Sequence, residues 1–219
     1  MNATEIPMPC HQTPSDAAVL GRRALLLLAA SAWSSVPCRA TGQTADAPAT
    51  ASVTSGRESN VARLLQAGGC AVLLRHAATE PGVGDPPEFK LDDCRTQRNL
   101  SVAGREDAQR IGALFASRTL KPRAVLCSAW CRCKDTADLA FGQHTVWPAL
   151  SSVFNDRAQL PDQSETVRKA LAAVPRQQFE VWVTHQVNIT ALTGQGIGMG
   201  EIFILDGQGT LLARTRLMS

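Results

Sequence analysis

The chain has 219 residues, enough for one domain with a core of its own and an appendage. Hydrophobic residues at 44% and charged residues at 19% exclude wholesale disorder. A net charge of +3 is too small to point to a nucleic-acid or membrane-surface partner.

Arg22-Arg23 stand directly before an apolar run, Ala24 to Trp33, and small residues follow, with Ala40, Ala45 and Ala47 as cleavage positions. A basic segment, a short apolar run and a small-residue exit make an export signal over residues 1–40, and the paired arginines also suit a twin-arginine signal. The run is too short to span a bilayer, which takes about 20 apolar residues. The expectation is an exported, periplasmic protein with no stable membrane span once mature. Residues 41–57 are Ala, Thr, Ser and Pro with few apolar anchors, a flexible linker, and the working domain runs over 58–219.

"VARLLQAGG" predicts a short helix ending at a glycine pair, and "CAVLLR" a strand buried on both faces. Residues 77–100 are rich in Pro, Gly and Asp, a loop of a length that usually serves a site. Ser101 caps a helix whose Ala108, Ile111, Leu114 and Phe115 share one face. "RAVLCS" is a buried strand, "CRCKDTADLAFG" a helix closed by Gly142, and "HTVWPAL" a short strand stopped by Pro148. "SETVRKALAAV" is a helix, "FEVWVT" a strand, and "VNITALTG" a helix closed by Gly194. "EIFILD" and "TLLARTRL" make an antiparallel hairpin. The alternation predicts an α/β three-layer sandwich: a mostly parallel sheet, helices on both faces and an antiparallel edge hairpin.

Three predicted strands run into charged or reactive groups: Arg75-His76, the segment leading to Arg132, and His185. Ligands of open α/β sheets bind beyond the carboxyl ends of the strands. Two arginines and two histidines there fit a phosphoryl group. Guanidinium forks match phosphate oxygens, a neutral imidazole can attack phosphorus, and a second histidine can hydrogen-bond an equatorial oxygen. Fixed cations leave no need for a metal or other cofactor.

"LLRHAATE", "QRNLSVAGREDAQRIG", "CSAWCRCKDTADLAFG" and "VWVTHQVNITALTG" resemble, in order, four blocks of the histidine phosphatase superfamily, the phosphoglycerate mutase-like fold, over roughly residues 58–217. The resemblance implies a metal-independent phosphomonoesterase with His76 as the phosphorylated nucleophile and Arg75, Arg132 and His185 in the phosphate pocket. The expected substrate is a small phosphorylated compound or a phosphorylated envelope sugar. The alternative is a phosphate-binding, catalytically weak member of the family in the cell envelope.

Two positions depart from the family pattern. Ala77 replaces the usual glycine after the Arg-His pair, and Ser152 stands where many members carry an acidic proton donor. Asp156 is the nearest carboxylate and the expected acid, with Glu80, Asp85 and Glu201 as alternatives. Cys94 in the long loop and Cys131 beside Arg132 could be bridged, pinning that loop to the pocket. The competing use of cysteines is a zinc module of Cys127, Cys131, Cys133 and His144, against which stands the helical pattern around Arg132.

Overall fold

The computed structural model describes residues 60–216, so the expected export signal, the linker and the ends of the proposed domain lie outside the described residues. Buried strands rich in Val, Leu and Ile pair with one another because their backbone groups have no water to bond. The result is one six-stranded sheet of β1 (Cys70–Arg75), β2 (Ala124–Cys127), β3 (Thr145–Val146), β4 (Phe179–Thr184), β5 (Glu201–Asp206) and β6 (Leu211–Arg216). Its order is β3-β2-β4-β1-β5-β6. β3, β2, β4 and β1 are parallel, while β5 runs antiparallel to β1 and to β6.

Alternation along β1 sends side chains to two cores, as pleating requires. Cys70, Val72 and Leu74 join one cluster with Val61 and Leu65 of α1 (60–67), Ile111 and Phe115 of α2 (Val102–Ser117), and Cys133 and Ala137 of α3 (Cys131–Phe141). Ala71 and Leu73 join the other with Val167 and Leu171 of α4 (Leu160–Ala173) and Ile189 and Leu192 of α5 (Gln186–Thr193). The sheet is therefore covered on both faces, as the sequence predicts.

Two elements differ from expectation. The strand around "HTVWPAL" shrinks to Thr145–Val146, because Pro148 and the next two residues turn into a 3-10 helix. α4 starts earlier, at Leu160, with Pro161 in its first turn, where a missing N–H costs nothing.

The parallel order brings the carboxyl ends of β1, β2 and β4 side by side. Register places Arg75 opposite Thr184 and Cys127 opposite Val183. Gly104 locks the long loop to this edge. A Cβ there would lie 1.8 Å from the carbonyl oxygen of Ala78, so only glycine lets the first turn of α2 approach the loop so closely. Ser101 completes the contact, its hydroxyl capping α2 at the Gly104 N–H (3.1 Å).

Candidate active site

The strand ends at the centre of the sheet open into a cavity of about 460 Å³. Arg75, His76, Arg132 and His185, the four residues expected at a phosphate site, all line it. Arg98 and Asp85, both from the long loop, line it as well.

His76 is buried at the end of β1. Its Nδ1 lies 2.9 Å from the carbonyl oxygen of Ala77. A carbonyl can only accept, so Nδ1 carries the proton and the lone pair sits on Nε2. Burial pushes the imidazole down to about 3; the Ala77 bond opposes this, and Arg132, Arg75 and Arg98 add to it. The ring is a neutral base at any ordinary pH. Ala77 is fully buried, its N–H donates to Thr136 Oγ1 (3.1 Å), and its methyl group is accommodated in the core.

His185 caps α5 and meets His76 edge-on, ring centroids 5.5 Å apart. Its Nε2 is 2.7 Å from Ser128 Oγ and 3.5 Å from Cys133 Sγ. Burial, then the charges around it, hold its pKa well below the ordinary value. Cys133 is itself pushed up to about 12 by burial and stays a thiol.

Three guanidinium groups converge on these rings. Arg75 donates Nη1 to Ile197 O (2.7 Å), Arg98 donates to Gly82 O, and Arg132 donates Nη1 to Asp85 Oδ1 (2.7 Å). Six buried side-chain polar atoms lack a partner among the described residues, and three of them are the Nε atoms of Arg75, Arg98 and Arg132. A buried N–H donor left unpaired is costly, and the three belong to residues lining one cavity, whose guanidinium charges favour an anion there.

The expected proton donor does not line the cavity. Asp156 is exposed, accepts from Gln159 Nε2 (2.7 Å) and does not line the cavity, although Ser152, Phe154 and Asn155 just before it do. The chain turns into a 3-10 helix at Arg157 and carries the carboxylate away from the edge. Glu80 is exposed and does not line the cavity, and Glu201 is held by Arg214 (2.5 Å) and by the Gly198 N–H. Asp85 is the carboxylate that reaches the site.

The long loop is tied down beside it. Cys94 and Cys131 form a disulfide, with Cα atoms 5.7 Å apart. Gln97 Oε1 accepts the Cys131 N–H (2.9 Å), while Gln97 Nε2 donates to Lys90 O and Leu91 O. The zinc arrangement does not form here: Cys131 is spent in the disulfide and His144 Nδ1 pairs with Asp138 (2.6 Å). Among the described residues no cluster of His, Cys, Asp or Glu could hold a metal ion.

Arg98 lines the cavity and Ser128 bonds His185, and neither is among the residues expected from the sequence. Both sit inside the quoted blocks, Arg98 two residues before Leu100 and Ser128 at the end of a buried strand.

No family model and no curated protein matches this chain. Solved structures do. SixA of Agrobacterium tumefaciens, assigned as a phosphohistidine phosphatase, is 23% identical and aligns over 67% of this chain and 97% of its own, with a TM-score of 0.46. TTHB049 of Thermus thermophilus is 17% identical over 66% of this chain and 98% of its own, with a TM-score of 0.47. A tungstate complex of the protein histidine phosphatase SixA is 15% identical over 68% and 97%, with a TM-score of 0.42.

Proposed function

We propose that the chain is a metal-independent phosphomonoester hydrolase of the histidine phosphatase type, working through a phosphohistidine on His76. The observation that carries this reading is that three guanidinium groups and a buried neutral imidazole line one cavity.

The chemistry follows from those groups. Arg75, Arg98 and Arg132 hold the phosphoryl oxygens and offset their charge. The Ala77 carbonyl fixes the Nδ1–H tautomer, so Nε2 attacks phosphorus as the ester P–O bond breaks, and the departing alkoxide takes a proton from solvent water, which the later attack of water on phosphorus gives back. Water then attacks phosphorus, the N–P bond breaks, and inorganic phosphate and neutral His76 are regenerated. His185 stabilises the charge on the transferring group, with Ser128 holding its ring.

The organic part of the substrate lies against the mouth of the cavity, where Val83 and Phe154 are exposed and Phe89 stacks on Trp130 with centroids 5.9 Å apart. The basic, apolar and small-residue order of residues 22–47, together with the disulfide, supports export to an oxidising compartment.

The test is hydrolysis of p-nitrophenyl phosphate and acetyl phosphate between pH 4 and 8 by wild type and His76→Ala. The expected outcome is metal-independent turnover, unaffected by chelators, that the substitution abolishes. Turnover surviving in His76→Ala overturns the phosphohistidine route, and phosphate binding without any turnover overturns the hydrolase reading.

A further inference from the structure

Two anions that share one guanidinium repel each other, most strongly where water is scarce. Asp85 creates that situation in this cavity. Its Oδ1 accepts from Arg132 Nη1 (2.7 Å) and from the backbone N–H of Arg98 (3.1 Å), and its Oδ2 accepts from the indole N–H of Trp130 (3.1 Å). The pair is well shielded, the Arg132 and Asp85 side chains being 5% and 9% exposed. Burial alone would raise the Asp85 pKa, but the bonds from Arg132, Arg98 and Trp130 outweigh it, so the group is a carboxylate. Arg132 therefore holds an internal anion with Nη1 on the wall of the same cavity.

We propose that Asp85 is a specificity-determining residue that weakens the hold of the site on phosphate and fits its charge to a dianion. Among the lining residues, three guanidinium charges against one carboxylate leave a net charge of +2, both histidines being neutral. That offsets a phosphomonoester dianion. Without the carboxylate the same arginines would carry +3 and retain the inorganic phosphate product. The inference rests on the hydrolase reading of this cavity and assigns to it a preference for dianions and ready product release. It differs in sign from a purely orienting role for Asp85. If the carboxylate only steered Arg132, removing its charge would loosen phosphate binding, whereas a built-in competitor, once neutralised, lets phosphate bind more tightly.

The experiment measures the dissociation constant of inorganic phosphate by calorimetry at pH 7.5, with its inhibition constant and the KM for p-nitrophenyl phosphate, in wild type, Asp85→Asn, Asp85→Ser and Asp85→Glu. Asparagine keeps an oxygen for Arg132 while removing the charge. The two neutral variants are expected to bind phosphate about tenfold tighter or more, with KM falling in parallel, and Asp85→Glu to stay within about threefold of wild type. Neutral variants that bind phosphate as weakly as wild type, or more weakly, overturn the proposal. So does tightening in Asp85→Glu equal to that of the neutral variants. A second readout needs no substitution: by carbon-13 NMR on the wild-type protein, added phosphate should raise the titration midpoint of the Asp85 carboxylate, and an unmoved midpoint contradicts the proposal. Tighter phosphate binding in the neutral variants of a protein that hydrolyses no ester would overturn the hydrolase reading and leave the charge role of Asp85 standing.

Discussion

Cys94 and Cys131 are joined across 37 positions, and each stands close to a cavity arginine, Cys94 four residues before Arg98 and Cys131 directly before Arg132. The bond ties the two phosphate-facing parts of the chain that come from different elements, the loop and the start of α3. Its Cys94 end is exposed and its Cys131 end is buried. Reduction, or the double substitution Cys94→Ser/Cys131→Ser, is therefore expected to lower stability by about 2–4 kcal/mol, the usual value for a loop of this length. It should also raise KM for p-nitrophenyl phosphate several-fold. Denaturant titration and steady-state kinetics with and without reductant measure both.

The two buried histidines make the fold sensitive to acid. An unfolded histidine titrates near 6.5, while folded His76 titrates at about 3 and His185 well below its ordinary value. Between those values the unfolded chain binds more protons than the native one. Stability is thus complete above pH 6.5 and falls as pH drops toward 3, by up to about 1.4 kcal/mol per pH unit for each ring. Chemical denaturation at pH 7.5 and pH 5 should show wild type losing more stability than His76→Asn, whose side chain does not titrate.

The close approach of α2 to the loop predicts a site defect from a remote methyl group. Gly104→Ala forces the Ala78 backbone and the helix start apart, because the new Cβ has no room beside the carbonyl. kcat/KM is expected to fall tenfold or more, with the loop carrying Asp85 and Arg98 displaced. Kinetics together with proteolysis of the loop would detect it. An alanine variant with wild-type kinetics would show that the loop is held elsewhere.

Phe154 is half exposed at the mouth, with the Arg157 guanidinium 5.3 Å over its ring. It is positioned to cover the organic part of a substrate. Phe154→Ala should raise KM for 2-phenylethyl phosphate about three- to tenfold while leaving KM for ethyl phosphate nearly unchanged, the two esters sharing a primary-alcohol leaving group. Equal effects on both would place Phe154 outside the substrate contact.

Much of this arrangement was legible in the chain. Runs such as "CAVLLR" and "FEVWVT" are apolar at nearly every position because both faces of those strands are buried, and β1 divides its side chains between two cores. Arg75, His76 and His185 could be picked out because a polar group directly after a buried strand has to emerge at the sheet edge, and Arg132 because it opens the helix that follows β2 at the same edge. Asp156 follows cavity residues closely in sequence, but distance along the chain says nothing about direction, and at the start of a 3-10 turn its carboxylate lies at solvent. By sequence Asp85 is only one of three alternatives, and it could not be singled out for the opposite reason. It sits in a Pro- and Gly-rich loop with no periodicity, and its place is set by tertiary bonds to Arg132, Trp130 and Arg98. Arg98 is hidden likewise, being one arginine among many until the loop folds over the edge.

The most direct test of the central claim is to trap the intermediate. Protein mixed with a phosphoryl-labelled substrate and quenched within milliseconds should carry label that is acid-labile, stable to base, and mapped by peptide mass spectrometry to His76. Its formation and decay should be fast enough to account for kcat, and His76→Ala should carry none. Steady turnover with no label on His76, or label on another residue at the same rate, would contradict the account.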